Sequence, residues 1–523
     1  MWRHLPILLT CLWLAGSTRG AAAQMQPANP DSALQAILGE LEGTPLPLRD
    51  AIGYALENAT SVRTAEAAYL SARGAVKREA GYFDPELFFS VNHFDNEEPT
   101  ASFFAGASVL ETEQTMGRAG LRLESPIGTD LQASFNAVKS RTNSAFAFLV
   151  PEYTTFGSLS LRQPLLDGFH KSARKEINRA KQEMEAAKAR YDQEVLAISV
   201  RVEQSYWDLY AAERDYAVQK LIRDRAESFL KETQLRAKTG LVGPDQVANA
   251  KTFLAEQELA LLDREEQLDL ISDQHASLIG KRPEAGERRF IPTDEPPRDF
   301  PPAEADELVD LATEHNLDLR AAEADIEATR ALSTAAYWEA FPSVDLVGSL
   351  GGSGLSGSPR DVIFGSDTLR TNVEGSMGDA SRQALERDFP SWSVGVEVSI
   401  PIGSRSGRGE RDRLEAEVAI AEQRYIAEAR VLEEQVRASY RELANGQRRL
   451  QAAREGVAAA QEQVRIGMIE FQNGRTTAFE LVRLGADFAV AQQRYSQALV
   501  RSAKAAASLR QLTSGAYAGA SLH

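Results

Sequence analysis

The amino-acid sequence repeats itself once over most of its length, and this duplication limits what the chain can fold into. Residues 62–66 match residues 319–323 at an offset of 257. A second block repeats at an offset of 234, where Gly240 corresponds to Gly474. Solenoid repeats have periods of about 20–50 residues, so a period this long indicates two copies of one large structural unit.

The segments outside the repeats have patterns of their own. An apolar run at residues 5–15, followed by three alanines at 21–23, predicts a secretory signal peptide. Cys11 is the only cysteine, so the exported chain would contain no disulfide, and Thr10 before it disfavours lipid modification. We expect a signal peptide (1–23), an N-terminal linker (24–44), a first repeat (45–281), a proline-rich linker (282–302), a second repeat (303–515) and a C-terminal tail (516–523).

Each repeat contains a pattern typical of one very long helix followed by a returning helix. The long helices are predicted at about 173–236 and 409–472, and the returning helices at about 244–279 and 477–512. A helix of this length spans roughly 100 Å at 1.5 Å per residue. The apolar stripe of the first long helix recurs about every 3.6 residues, which favours nearly straight, side-by-side packing of antiparallel helices.

Alternating apolar and polar residues predict strands between the helices of both repeats. The alternation is strict at 392–400 and shorter or less regular at 86–94, 157–161 and 343–350. The chain after the signal peptide has no stretch of about 18 uncharged apolar residues, so we expect either a soluble protein or a membrane β-barrel. Four strands cannot close a barrel, so a membrane location would require several chains to share one.

The first repeat has additional alternating sequence at 120–124 and 131–137, which predicts an added hairpin. This pair is compatible with a wider barrel, an outward extension or a longer external loop. The second repeat instead has a Gly- and Ser-rich stretch at 351–390, which we expect to be a loop. Aromatic residues occur at the predicted joints of strands and helices, as in the girdles of membrane barrels. They are Tyr82, Phe83, Trp338, Phe341 and Trp392.

Charge and motif content exclude several classes of function. The 75 acidic and 58 basic residues give a net charge of −17, whereas nucleic-acid binding needs a basic surface. The six histidines show no paired metal-ligand spacing, and the sequence has no phosphate-binding loop, no G-x-S-x-G motif and no cysteine for nucleophilic catalysis. We therefore expect a protein that is not an enzyme and has no catalytic, cofactor-binding or metal-binding residues.

With its signal peptide, duplication, strand pairs and very long helices, the sequence resembles the TolC-like outer membrane efflux proteins, also called outer membrane factors. The most specific local marks are two helix turns, residues 238–250 and 472–482. Independently of the resemblance, a helix reversal needs a residue that tolerates a positive φ, which Gly240 and Gly474 supply. In the family these tips contact the hairpins of a periplasmic adaptor (membrane fusion protein). The corresponding residues here are Gly240, Leu241, Val242, Gly474, Arg475 and Thr476.

The resemblance, which extends over about 48–515, implies a mainly α-helical protein with a membrane β-barrel. It implies a homotrimer in which about four strands per chain form a 12-stranded barrel in outer membrane lipid, above a periplasmic α-helical tunnel. Such a trimer would be a passive exit duct for efflux or type I secretion, driven by an inner-membrane pump. The cargo would be small toxic molecules, metal ions or secreted polypeptide.

Helices that converge at the tips would bring three copies of a charged side chain together, and such a ring sets ion preference. Asp245, Glu470 and Arg475 are the candidates for this constriction. The alternative function is a soluble periplasmic coiled-coil adaptor or scaffold, which would not need the strands.

Overall fold

The computed structural model describes residues 30–300, 304–473 and 475–517, so the predicted signal peptide and Gly474 lie outside the described residues. The helices are α1 (Pro30–Gly39), α2 (Leu48–Asn58), α3 (Thr60–Ala80), α4 (Lys175–Lys238), α5 (Pro244–Ile279), α6 (Ala305–His315), α7 (Leu317–Glu339), α8 (Met377–Glu386), α9 (Arg405–Gln472) and α10 (Ala478–Leu512). The strands are β1 (Thr44–Leu46), β2 (Glu86–Pro99), β3 (Val109–Glu124), β4 (Asp130–Thr142), β5 (Leu149–Pro164), β6 (Phe290–Pro292), β7 (Ser343–Pro359), β8 (Val362–Phe364), β9 (Asp367–Leu369) and β10 (Phe389–Ser399).

Two very long helices confirm the predicted helical pattern. α4 has 64 residues and α9 has 68, which corresponds to about 100 Å each. Each is followed by a returning helix, α5 with 36 residues and α10 with 35. The bounds agree with the prediction to within a few residues because the apolar period continues up to each turn.

α4 is the central helix of the helical layer. Its first half packs against α3 and α7, where Ala186 and Ala189 cluster with Ala321 and permit a close approach. Its second half packs against α5 and α10, and Ala217 clusters with Ala489. α9 packs against α7 and α10. α9 therefore lies at one side of the layer, and α3 and α5 lie at the other.

The largest buried side chains lie midway along α4. Tyr206, Trp207 and Leu209 are fully buried and cluster with residues of α2, β1 and β6. β1 and β6 pair in parallel, which brings the segment before α2 beside the segment after α5. Phe290 of β6 is buried in this cluster, so the proline-rich segment contributes to the core. The domain bounds expected from the sequence stay a prediction.

The Tyr206 hydroxyl joins β1 and the chain after β6 to α4. It lies 2.9 Å from the Leu46 carbonyl oxygen and 3.0 Å from an Asp294 carboxylate oxygen, and it can donate to either. It accepts hydrogen bonds from the backbone N–H groups of Thr293 and Asp294, at 2.9 and 3.0 Å. Burial raises the pKa of Tyr206, so the hydroxyl keeps its proton. One side chain thus satisfies polar groups from two distant segments.

The six long strands form one antiparallel sheet at the end of the helical layer. The order is β10-β7-β5-β4-β3-β2. The sheet of the single chain has six long strands, where about four were expected. The count of 12 strands for a trimer stays a prediction. The added hairpin forms β3 and β4, which are inserted between β2 and β5 by continuous backbone pairing. The expected number counted the strand signals at 86–94, 157–161, 343–350 and 392–400 and left the added hairpin aside.

The stretch expected to be a loop, 351–390, is largely ordered structure. β7 continues to Pro359, β8 and β9 form a short hairpin, and α8 packs on β7 and β5. Gly352 and Gly354 lie in β7 because a Cβ at either position would clash with the backbone of α8. Thr155 of β5 donates to the Ala380 carbonyl at 2.7 Å and fixes the helix there.

Glu213 is a buried carboxylate on the same helix as Tyr206. It is 6% exposed, and burial raises its pKa to about 7 despite the opposing charge of Arg214. In the unfolded chain the same group titrates near pH 4.5. The folded chain therefore holds the proton at pH values where the unfolded chain has lost it. Ionisation of Glu213 thus lowers the stability as the pH rises from about 4.5 to about 7, and the full loss persists above pH 7.

Replacing Tyr206 by Phe keeps the ring and removes the hydroxyl. Two backbone N–H groups then lose their acceptor, which we expect to lower the free energy of unfolding by roughly 1–3 kcal/mol. Thermal unfolding followed by circular dichroism measures the change. Tyr69→Phe is the matched control, because the Tyr69 ring stacks on Tyr191 with centroids 6.4 Å apart and is partly exposed. Equal losses in both variants would contradict the role of the Tyr206 hydroxyl.

Replacing Glu213 by Gln removes the ionisation while keeping the shape of the side chain. At about pH 8 we expect a higher midpoint of thermal unfolding and a gain on the order of 3 kcal/mol in the free energy of unfolding. At about pH 4.5 we expect almost no change in either quantity. Unfolding curves at the two pH values test this. Glu258→Gln, at an exposed position on α5, is the control and should change neither curve. A gain of the same size at both pH values would argue against ionisation as the cause.

Candidate functional site

In the half of the six-stranded sheet next to the helices, one face is apolar across all six strands, whereas the outer half of the same face carries charged residues such as Glu111, Glu113 and Lys139. Side chains alternate along a strand, so residues paired in register lie on the same face. The register aligns Leu87, Leu121, Ala133, Leu159, Leu350 and Trp392 in one row. The same face carries Phe89, Val91, Leu123, Leu131, Phe135, Leu161, Leu346, Val394, Val396 and Val398. Leu87 is 81% exposed and Trp392 is 72% exposed. A continuous exposed apolar face of this kind marks contact with lipid or with another protein.

The opposite face of the sheet is polar. The hydroxyl groups of Ser134 and Ser158 lie 3.0 Å apart, and Arg162 donates to Asp345 at 2.7 Å. Ser349 and Ser393 form a further hydroxyl pair at 2.7 Å on this face. Phe88 also points to this side, where the Arg118 guanidinium lies 5.3 Å from its ring centroid. The two faces therefore suit two different surroundings, one apolar and one aqueous.

β2 and β10 are the two edge strands of this sheet. Within the described residues, β2 pairs with β3 and β10 pairs with β7, and nearly every residue of both is exposed. β2 follows α3 and β10 precedes α9. Each edge of the sheet therefore continues into one exposed side of the helical layer. The helical part of these sides also exposes apolar residues. They are Leu70 on α3, Leu259 and Leu262 on α5, and Ile420, Val431, Ile466 and Ile469 on α9.

Aromatic side chains surround the joint between the sheet and the helices. Tyr337, Trp338 and Phe341 form a cluster with ring centroids 5.5, 5.8 and 6.0 Å apart. On the other side of the joint, the rings of Tyr82 and Phe83 lie 5.5 Å apart, and Tyr82 is exposed. Four of the five residues expected in a girdle thus lie at the joint, whereas Trp392 lies on the apolar face of β10.

The first helix tip reverses the chain between α4 and α5. Gly240 has a φ of +74°, and its N–H donates to the Ala237 carbonyl at 3.0 Å. The Leu241 N–H donates to the Arg236 carbonyl at 2.9 Å, which closes the end of α4 as in a Schellman motif. This geometry explains the glycine. Leu241 is 75% exposed at the end of the molecule, and Val242 beside it is partly buried.

The second tip joins α9 to α10, and Gly474 within it lies outside the described residues. The Arg475 N–H donates to the Glu470 carbonyl at 2.8 Å. The Thr477 hydroxyl caps the N-terminus of α10 by accepting a backbone hydrogen bond at 3.2 Å. The side chain of Arg475 is exposed and that of Thr476 is partly exposed, so both are accessible at the tip.

A groove of about 640 Å³ lies between α4, α5 and α10 next to the tips. Phe229 of α4 and Phe479 of α10 meet in it with ring centroids 5.5 Å apart, and Phe253 of α5 also lines it. Glu232 and Arg236, which form an ion pair on α4, supply polar lining. An apolar groove with polar residues beside it suits an amphipathic helix. The sequence did not indicate this groove, because Phe229 and Phe479 belong to different repeats and meet only in the folded chain.

The three candidate constriction residues lie near the tips. Asp245, Glu470 and Arg475 are all exposed, and none of them forms an ion pair within the described segments. Asp245 is in the first turn of α5, where the helix dipole stabilises a negative charge. Glu470 and Arg475 are joined through the backbone hydrogen bond described above. Their side chains are thus free to contact another chain or a passing ion.

Outside the sheet and the tips, the described residues offer no further site. Across residues 30–300, 304–473 and 475–517, no cluster of His, Cys, Asp and Glu has an arrangement that would hold a metal ion. None of the helices in these ranges combines the length and apolar character needed to cross a membrane. His275 is fully buried, its Nδ1 lies 3.0 Å from the Ser205 hydroxyl, and burial lowers its pKa to about 4. It is therefore a neutral packing residue.

Comparison with solved structures finds the same fold in outer-membrane channels. The outer-membrane channel OprN shares 17% identity with this chain, with a TM-score of 0.61 and coverage of 90% of both chains. VceC of Vibrio cholerae shares 15% identity, with a TM-score of 0.60 and coverage of 90% of this chain and 96% of VceC. CmeC of Campylobacter jejuni shares 11% identity, with a TM-score of 0.61 and coverage of 90% and 86%. No curated protein sequence matches significantly.

The family model described as "Outer membrane efflux protein" matches residues 51–281 and 308–515, which is most of the chain. Members of this TolC-like family are transport channels of the outer membrane that extend into the periplasm, and they are not enzymes. The sheet with one apolar face and the roughly 100 Å helices agree with this match. The chain therefore belongs to the outer membrane efflux protein family.

Proposed function

We propose that three copies of the chain form one passive exit duct, with a shared β-barrel in the outer membrane and an α-helical tunnel in the periplasm. The observation that carries the proposal is the sheet, which has an apolar face, a polar face and two unpaired edges above the long helices. In a closed barrel the apolar face contacts lipid and the polar face lines an aqueous lumen.

Closure of the sheet requires other chains. An open sheet edge is not tolerated in hydrocarbon, because its N–H and C=O groups have no hydrogen-bond partners there. The exposed apolar residues on α5 and α9 extend the same open sides along the helices, so neighbouring copies would bury both sides together. Three copies are proposed because the family resemblance implies a trimer.

The tips are the proposed contact with a periplasmic adaptor, through which an inner-membrane pump would drive efflux or type I secretion. Leu241 is an exposed apolar side chain at the end of the molecule. The groove lined by Phe229, Phe253 and Phe479 lies beside it and suits the helical hairpin of an adaptor. Gly240, Val242, Gly474, Arg475 and Thr476 complete the proposed contact.

The alternative, a soluble periplasmic adaptor or scaffold, does not account for the sheet. Such a protein would expose a face of more than a dozen apolar side chains to water. Soluble monomers rarely expose continuous apolar surfaces of this kind.

The mass of the particle in detergent tests the proposal. We expect a particle that contains three chains and that precipitates when detergent is removed. Light scattering with the detergent contribution subtracted gives the protein mass. A monomer or dimer that stays soluble without detergent would overturn the shared barrel and favour the adaptor or scaffold.

Replacing Asp245 by Ala tests the proposed constriction. If three Asp245 carboxylates line the narrow end, their loss should lower the cation preference of single-channel currents in a planar bilayer several-fold. Asp263→Ala, at an exposed position along α5, is the matched control and should leave the preference unchanged. If Asp245→Ala behaves like this control, Asp245 does not line the constriction. If Glu470 lines the constriction, Glu470→Ala should lower the cation preference in the same way. If Arg475 lines it, Arg475→Ala should raise the cation preference, because a positive charge is lost.

A further inference from the structure

We propose that each chain contributes six strands to the barrel, eighteen in the trimer, and that β2 of one chain pairs with β10 of the next. This inference rests on the trimer proposed above and adds the number of strands and the identity of the contacting edges. It gives a wider membrane pore than the 12 strands that the family resemblance implies.

The inserted hairpin crosses the full height of the sheet. Its turn, at residues 125–129, lies at the helical end, where the His170 N–H donates to the Ile127 carbonyl at 3.3 Å. Gly128 in this turn approaches Gly168 so closely that a Cβ would clash with the Gly168 carbonyl. β3 and β4 have 16 and 13 residues, comparable to the 16 of β5 and the 17 of β7. The hairpin is therefore part of the wall of the sheet rather than an external loop.

The hairpin also continues the two faces of the sheet. Leu121 and Leu123 of β3, and Leu131 and Phe135 of β4, lie on the apolar face in register with their neighbours. Gln132, Ser134 and Asn136 of β4 lie on the polar face. An extension into the extracellular medium would have no need for an apolar face on both strands. The alternation thus places the halves of β3 and β4 next to the helices at the same depth in lipid as the apolar halves of the other four strands.

The directions of the strands allow the barrel to close only if the β2 edge of one chain pairs with the β10 edge of another. All five adjacent pairs in the sheet are antiparallel, so with six strands β2 and β10 run in opposite directions. Copies related by rotation about the barrel axis can then pair β2 of one chain with β10 of the next in the same antiparallel manner. Because the insertion adds two strands, it preserves this relation.

The consequence is a wider pore in the membrane. Barrel diameter grows roughly in proportion to strand number, so eighteen strands give about 1.5 times the diameter of twelve. Barrels of 16–18 strands are wide enough to leave an aqueous channel between their lining side chains. The lining here includes Ser90, Asn92, Gln132 and Asn136 on the polar face.

Pairs of introduced cysteines test the strand neighbours in the detergent-extracted trimer. No cysteine follows Cys11, so each introduced pair reports alone. Ser90→Cys combined with Ser391→Cys, Ser393→Cys or Gly395→Cys samples three registers between β2 and β10, all on the polar face. We expect at least one of these to give disulfide-linked dimers and trimers on oxidation.

Two further pairs serve as controls within one chain. Ser90→Cys with Arg118→Cys joins directly paired positions of β2 and β3 and should close. Ser90→Cys with Ser158→Cys should not close in the full chain, because β3 and β4 separate β2 from β5. The same pair should close in a variant that lacks residues 109–142. Because β2 ends and β5 begins at the end of the sheet away from the helices, the shortened chain can place β2 directly beside β5.

Polymer exclusion measures the width of the pore directly. Polyethylene glycols of increasing size are added to the external side of a bilayer that contains the trimer. The largest polymer that still reduces the current should have a radius about 1.5-fold greater in the full chain than in the variant that lacks residues 109–142. Equal limits in two variants that both form trimers would overturn the wider pore.

The outcomes separate this inference from the proposed function. Failure to form a detergent-dependent trimer would overturn the proposed function itself. A trimer in which Ser90→Cys closes with Ser158→Cys in the full chain would leave the duct intact and refute the eighteen strands. The same refutation follows if the β2–β10 pairs fail at all three registers while the Ser90–Arg118 control closes. These tests in the full chain decide the matter even if the deletion variant does not fold.

Discussion

Backbone hydrogen bonding in hydrocarbon is the constraint on which the architecture of this protein depends. A strand in lipid must pair on both sides because no water is available to satisfy its N–H and C=O groups. Four of the six long strands meet this condition within one chain, and β2 and β10 do not. The helices repeat the same situation, since α9 on one side and α3 and α5 on the other expose apolar residues. In the proposed trimer, the single chain is one sector of a closed structure.

The helical layer derives its rigidity from a few contacts along α4. Alanines let α7 and α10 approach closely, and the Tyr206 hydroxyl fixes two segments that lie far apart in the sequence. Glu203 of α4 is buried and paired with Arg510 of α10 at 2.9 Å, which adds a second polar tie in the same region. These ties lie midway between the sheet and the tips. The middle of α4 therefore joins segments from both repeats between the sheet and the tips.

Periodicity predicted the elements whose faces differ in polarity. α5 was predicted with its observed bounds because Pro244 is favoured in a first helical turn and Gly280, at a φ of +68°, ends the helix. The outer halves of the strands were missed since residues such as Glu111, Glu113 and Lys139 carry no alternation there.

Other features depend on contacts that a single stretch of sequence does not contain. β1 and β6 have three residues each and exist because they pair with one another beside Tyr206. The glycines of β7 were interpreted as a loop, whereas they accommodate α8. At the tips, the first turn was predictable from Gly240. The groove that contains Phe229 and Phe479 was not, because it depends on the packing of the two repeats against each other. The two strands of the added hairpin were visible in the alternation at 120–124 and 131–137, but they were left out of the expected count of about four.

The inserted hairpin has a consequence for the joint between the sheet and the helices. Four helices of each chain, α3, α4, α7 and α9, reach the sheet, and at about 9 Å per helix they occupy roughly 36 Å of arc. Six strands about 4.8 Å apart and tilted by about 40° occupy roughly 38 Å, whereas four would occupy only about 25 Å. With six strands the two layers have nearly equal circumference. In the proposed trimer, the wall of the duct can then pass from helix to strand without a step, and the width of the channel would stay almost constant through the joint.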